Sequence, residues 1–262
     1  MELDGRVAMV TGGGGRLGRA IANALSEAGA AVGVVDQTAT TGSSVANSLR
    51  QKGARAASAA ADVSVTSQVE AAVEKLEREL GPIDILVTAA GIFPNRPLLE
   101  MDDDEWDHVF AINTRGTMIC CRAVARRLVA RGAPGAIVNI SSGAATSARA
   151  GGSHYNSSKS AVNMLTQVLA IELGPLGIRV NAIAPGLIMD DVLREGDTHS
   201  SKYVELMLQG TPLRRTGAAG DIAPAVVFLA SDLSSWTTGA ILEITGGNHC
   251  GRPHMPTSRG LR

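Results

Sequence analysis

The stretch "RVAMVTGGGGRLGRAIANAL", Arg6 to Leu25, decides the fold. A short apolar run breaks into consecutive glycines, and the residues after them take helical spacing through Leu17, Ile21 and Leu25. Gly13, Gly15 and Gly18 satisfy G-x-G-x-x-G, with the strand before and the helix after that give the pattern meaning. Glycines there make a sharp turn and let backbone approach a pyrophosphate, and the helix N-terminus adds N–H groups and positive dipole. Asp36 closes the next β-branched run, 18 residues beyond Gly18. A carboxylate at that place accepts from adenosine ribose hydroxyls and repels a 2′-phosphate, which predicts NAD over NADP. Arg16 and Arg19, either of which would pair with a phosphate, keep NADP as the minority alternative.

Outward from this unit the chain alternates short β-branched runs with helical segments. "RVAMVT", "AAVGVVD", "ARAASAAAD", "IDILVTAAG", "GAIVNIS", "IRVNAIAP" and "GAILEIT" read as seven strands. Between them, "SQVEAAVEKLEREL" puts Val69, Val73, Leu76 and Leu80 on one stripe. Regular alternation implies right-handed crossovers and an α/β, doubly wound (Rossmann-like) parallel seven-stranded sheet with helices on both faces, in a single domain. That domain is expected over residues 1–247, with 248–262 as a C-terminal tail. Leu187 to about Thr216 escapes the alternation after the sixth strand, where α/β proteins place ligand contacts.

The 262 residues are 45% hydrophobic with 3% aromatics, so the core is expected to be Val, Leu, Ile and Ala. A net charge of −1 argues against a nucleic-acid or anionic-membrane surface. No apolar run is long enough to span a bilayer, and "RVAMVTGG" begins too early to leave room for a signal peptide. Cys120, Cys121 and Cys250 show no disulfide or zinc spacing, which fits a reducing cytoplasm.

A second stretch, "SHYNSSKSA" from Ser153 to Ala161, sets Tyr155 four residues ahead of Lys159, on one face of a helix. With the glycine turn it resembles the short-chain dehydrogenase/reductase superfamily, from about Arg6 to Gly247. Ordered blocks carry the resemblance: "TGGGGRLG", "ADV" at Ala61–Val63, "TAAG" from Thr88, "INTRG", "NISS", "YNSSK", "RVNAIAPG" and "FLASDLSSWTTGAILEITGG". It implies a catalytic set of Asn113, Ser142, Tyr155 and Lys159, Ser142 standing 13 positions ahead of Tyr155. It implies cofactor contacts from Gly12, Gly13, Gly15, Arg16, Leu17, Gly18, Asp36, Asp62, Val63, Ala89, Ala90, Gly91, Tyr155, Lys159, Pro185, Gly186, Ile188 and Asp190. A homotetramer is implied as well.

The expected chemistry is interconversion of a secondary alcohol and a ketone, with Tyr155 as general acid/base. A free phenol titrates near 10, and lowering it to about 7 takes roughly 4 kcal/mol in favour of the anion. A Lys159 ammonium close by, partly shielded from water, is expected to supply much of that. Ser142 would bond the reacting oxygen, and Asn113 would organise a water relay from Lys159. The alternatives are an NADP(H)-dependent ketoreductase of 3-oxoacyl type and a non-catalytic NAD(H)-sensing protein.

This chain departs from the family pattern at three places. Arg16 replaces a glycine of T-G-x-x-x-G-x-G, Thr88-Ala89 replaces two asparagines, and Asp190 stands where a threonine is usual. Phe93, Ser142, Ala144, His154 and Leu187 are expected to line a mostly apolar substrate pocket without a cationic cluster, hence a neutral secondary alcohol or ketone. No metal site is expected from His249, Cys250 and His254. Cys120, Cys121, Trp106 and Trp236 are read as packing residues.

Overall fold

The computed structural model describes residues 2–189 and 198–251, the side chains of 198–201 excepted. Its strands are β1 (Val7–Thr11), β2 (Ala31–Asp36), β3 (Ala56–Ala60), β4 (Ile85–Thr88), β5 (Gly135–Ile140), β6 (Ile178–Pro185) and β7 (Ile241–Ile244). They form one seven-stranded sheet in the order β3-β2-β1-β4-β5-β6-β7, every pairing parallel. Each of the seven runs expected from sequence is present, and the doubly wound topology is the one the alternation predicted.

Alternation along each strand divides the core in two. Val7 and Met9 of β1 point into one layer with Val69, Val73 and Leu76 of α3 (Thr66–Leu80) and Val124 and Leu128 of α5 (Thr117–Ala130). Ala8 and Val10 point the other way, onto Ile21 and Leu25 of α1 (Arg16–Glu27), Val45 of α2 (Ala39–Gln51) and Val226 of α8 (Ala219–Ala230). Both faces are therefore covered, and β4 is the central strand, with β1 beside it.

Successive crossovers carry the chain from β1 to β3 in one direction, and β4 then returns to β1's other side. The crevice this reversal opens beyond the strands' carboxyl ends is where such sheets bind ligands. Over it lie α4 (Asp103–Phe110), a π-helical turn at Ala111–Gly116, and α6 (Ser153–Leu173).

Cys120 and Cys121 are buried, as expected, and burial pushes the Cys120 thiol up to about 12. Trp106 stacks on Phe110 with ring centroids 4.9 Å apart. Trp236 does not pack: it is 100% exposed, on the turn that follows α8. Of the segment after β6, Ile188 pairs with Gly217 and α7 spans Thr198–Gln209. Asp190 and His254 lie outside the described residues.

Candidate active site

The glycine turn fits a dinucleotide by its geometry. Gly12 has φ +62°, and a Cβ there would lie 2.6 Å from Ala90 Cα, so the end of β1 presses against the segment leaving β4. A Cβ on Gly18 would overlap the Gly12 carbonyl. Gly12 and Gly18 thus approach backbone and Gly13 and Gly14 the side chains of Val34 and Thr41, whereas Gly15 has an ordinary φ of −71° and serves as N-cap of α1. No side chain caps that helix and no acid stands in its first turn. The positive end of α1, with the N–H groups of Leu17 and Gly18, is thereby left to an external anion such as a pyrophosphate. Arg16 is the first helical residue and its side chain is exposed.

Asp36 ends β2 beside this turn. Its Oδ2 accepts from the Gly14 N–H at 3.0 Å, and its Oδ1 from the Thr38 N–H at 3.1 Å and the Thr41 hydroxyl at 2.9 Å. A carboxylate has about four acceptor directions, so one remains for a ribose hydroxyl. Asp62 accepts from the Ser64 N–H and hydroxyl at 2.9 and 2.7 Å and, more weakly, from Gln37 Nε2 at 3.4 Å, placing it on the same rim as Asp36. Val63 is buried next to it. Ala89 and Ala90 donate their N–H groups to the Thr11 carbonyl and hydroxyl at 3.2 and 3.4 Å, and Gly91 follows. Beyond Pro185, the N–H of Gly186 donates to Ile244 and the Leu187 carbonyl accepts from Gly217, which fixes the far rim.

The Thr88 departure has a structural answer. Its hydroxyl donates to Asn139 Oδ1 at 2.8 Å, and Asn139 Nδ2 donates to Thr166 Oγ1 at 2.9 Å. A buried hydroxyl–amide chain therefore ties β4 and β5 to α6 without the missing amide side chains.

Asn113 is fully buried in the π-helical turn. Its Oδ1 accepts from the Ile92 N–H at 2.9 Å, and its Nδ2 donates to the Ile92 carbonyl at 2.9 Å and to Ser158 Oγ at 3.0 Å. Both amide hydrogens are used, so this side chain clamps the post-β4 loop to α6. The water-relay role read from the resemblance would fall to the second acceptor direction of Oδ1.

Ser142 lies just after β5, where its Oγ accepts from the Ala144 N–H at 3.1 Å, and its hydroxyl is near enough to Tyr155 to favour the ionised phenol. Tyr155 is half-buried in the first turn of α6. One turn on, Lys159 is only 5% exposed, and its Nζ donates to the Ile140 carbonyl at 2.9 Å.

The titration of the pair differs from the sequence expectation. Burial holds the Tyr155 phenol above its usual value, and only partial relief comes from the Ser142 hydrogen bond and the Arg149 cation. Lys159 is pushed down to about 8 by its own burial. The groups that lower the phenol are Ser142 and Arg149, not Lys159. The phenol is therefore neutral near pH 7, whereas Lys159 keeps its proton until about 8.

Sequence reasoning missed Arg149. Its guanidinium carbon sits 5.6 Å from the Tyr155 ring centroid, and one of its nitrogens donates to the Tyr203 hydroxyl of α7 at 2.9 Å. The signal was the dipeptide of glycines at 151–152 between Arg149 and α6: Gly152 donates to the Arg149 carbonyl at 3.2 Å, folding the chain back over the helix start.

His154 is 0% exposed and does not face a substrate. Its Nδ1 accepts from the Tyr155 N–H at 2.8 Å, and its Nε2 meets Glu105 at 3.4 Å. Glu105 in turn pairs with Arg96 at 3.1 Å, so the three tie α4 and the loop before it to α6. Phe93, 72% exposed, helps wall an open cleft of about 430 Å³ with Gly91, Glu105 and His108. Ala144 and Leu187 are partly buried at the strand ends. Among the described residues no three His, Cys, Asp or Glu side chains cluster as metal ligands, and no helix is long and apolar enough to cross a membrane.

Comparison with known proteins places this geometry. A family model described as enoyl-(acyl carrier protein) reductase matches residues 15–249. The short-chain reductase protein NovJ of Streptomyces niveus is 42% identical, covering 92% of this chain and 93% of that protein. Galactitol 2-dehydrogenase (L-tagatose-forming) of Cereibacter sphaeroides is 39% identical over 94% and 96% of the two chains. Among solved structures, a gluconate 5-dehydrogenase from Burkholderia cenocepacia in complex with NADP and tartrate superposes with a TM-score of 0.89 at 34% identity, over 95% and 97% of the two chains. The chain belongs to the short-chain dehydrogenase/reductase family.

Proposed function

We propose that this protein is an NAD(H)-dependent oxidoreductase that interconverts a secondary alcohol and a ketone, with Tyr155 handling the proton at the carbinol oxygen. The observation that carries the reading is the Ser142–Tyr155 hydroxyl pair, seated beyond the strand ends with Lys159 buried one helical turn away. A bound nicotinamide dinucleotide supplies the hydride donor or acceptor. The residues that would hold it are the α1 N-terminus, Asp36, the Ala89–Gly91 backbone and Lys159.

Each side chain then has a definable task. The Tyr155 hydroxyl donates to a ketone oxygen as it gains charge, or takes the proton from an alcohol. Ser142 donates a second hydrogen bond to the same oxygen, which stabilises that charge in a partly water-excluded site. Asn113 keeps the post-β4 loop and α6 in register. Activity on a sugar alcohol in the galactitol dehydrogenase relative supports a hydroxyl-rich substrate. The exposed apolar side chains Met164, Val168 and Ile171 along α6 support assembly with further copies of the chain. Following nicotinamide absorbance across a panel of secondary alcohols and polyols tests the reading. Silence of the whole panel with both NAD and NADP, in protein that binds the dinucleotide, would leave a binding protein instead.

NAD is preferred because the Asp36 carboxylate faces the rim where a 2′-phosphate would sit. Asp36→Ala is expected to raise the rate with NADP relative to NAD. Since it also removes the acceptor of the part-buried Gly14 N–H, stability should fall by about 1 kcal/mol. A lowered denaturation midpoint with an unchanged cofactor ratio would reduce Asp36 to a loop anchor and favour NADP, the cofactor held by the gluconate 5-dehydrogenase neighbour.

A further inference from the structure

Arg149 is an unbalanced charge at the reacting centre. Arg96, Arg127, Arg131 and Arg215 each lie within 4.0 Å of a carboxylate. Among the described residues Arg149 has no such partner: it meets a neutral phenol at one edge and the face of Tyr155 below. The side chain is exposed, on the turn that leads into α6. A guanidinium offers five N–H donors in a planar fork, and a single hydrogen bond to Tyr203 leaves most of them facing outward.

We propose that Arg149 is a specificity residue that reads a carboxylate on the substrate, so that the preferred substrates are hydroxy acids and the corresponding keto acids. The inference rests on the alcohol–ketone reading above and narrows its substrate class. Stacked on the ring whose hydroxyl handles the proton, the guanidinium lies 5.6 Å from that ring's centre. A carboxylate there would accept two parallel N–H bonds while the carbinol oxygen meets Tyr155 and Ser142. Tyr203, contributed by α7, holds the guanidinium over the ring and keeps it from drifting into solvent. The expectation of a neutral substrate came from the scarcity of cations among the residues read as pocket lining, and Arg149 was not among those residues.

Two substrate pairs matched in length test the proposal: 3-hydroxybutyrate against 2-butanol, and gluconate against sorbitol. Arg149→Gln should lower kcat/KM for the acids about 10–100-fold more than for their neutral partners, through KM. Arg149→Lys should recover part of the difference. Equal losses on acid and alcohol would show that Arg149 acts on Tyr155 rather than on substrate and would overturn the proposal, as would a wild-type preference for the neutral member of both pairs. A second readout does not need turnover. With saturating NADH, the acids should raise the melting temperature of the Tyr155→Phe protein and the alcohols should not, and adding Arg149→Gln should abolish the shift. No shift with either acid sinks the carboxylate site, whereas a shift in a protein that turns over nothing sinks only the alcohol–ketone reading.

Discussion

Tyr155→Phe is expected to lower turnover by about 10²–10⁴-fold while dinucleotide affinity stays near that of the unaltered protein. The range is that of a positioned general acid or base. The change removes one oxygen and keeps the ring, so the packing of α6 and the stacking of Arg149 remain. What is lost is the hydroxyl that would carry the proton, beside Ser142. Single-turnover absorbance gives the chemical step, and quenching of dinucleotide fluorescence gives the affinity. Retention of the full rate would remove Tyr155 from the chemistry.

The direction of the Tyr155 shift adds a pH signature. With the phenol held above its usual value, it is protonated through the neutral range and ready to donate to a ketone. Alcohol oxidation needs the opposite protonation state. Its rate should therefore climb as the medium becomes alkaline, while ketone reduction falls over the same interval. Parallel profiles for the two directions would mean that some other group carries the proton.

The fold was legible because its signals are local. Each strand announces itself as a short β-branched run, and the Val69-Val73-Leu76-Leu80 stripe that marks α3 reappears as four buried side chains. The site was legible to the extent that it repeats a family spacing: Ser142 lies just after β5, and Tyr155 and Lys159 stand one turn apart at the start of α6. Contacts across long sequence separations were not. Glu105 meets His154 over 49 positions, and nothing near either residue advertises the other. The Thr88–Asn139 bond spans 51 positions and turns an apparent loss of amides into a different polar chain. Arg149 escaped because a loop residue has no period to place it; only the glycine pair behind it directs it onto Tyr155. The direction of the Tyr155 shift was hidden for a further reason: residue types place a cation near the phenol, but burial raises the phenol, and burial is a property of the whole fold.

Lys159 carries the other large effect, on stability rather than rate. In the unfolded chain its ammonium titrates near the ordinary value of 10.5, and in the folded, dinucleotide-free protein near about 8. Below pH 8 both states hold the proton, and the folded one bears the cost of a buried charge. Between about 8 and 10.5 the folded protein releases the proton and the unfolded chain keeps it, so stability rises with pH across that window, by about 3 kcal/mol in total. Tyr155 acts oppositely, but only above its unfolded value of 10, where the unfolded phenol ionises first. Lys159→Met, which keeps the length and removes the charge, is expected to lose the rise. Denaturant unfolding at pH 7 should find the variant closer to, or above, the wild type, despite the lost bond to the Ile140 carbonyl. At pH 9.5 the wild type should have gained on it by most of that amount. Two curves that stay parallel from pH 7 to 10 would mean that the lysine is charged at no cost. A folded protein that tolerates such a group near neutrality has a use for it other than stability, and the proposed role of Lys159 in holding the dinucleotide would be that use.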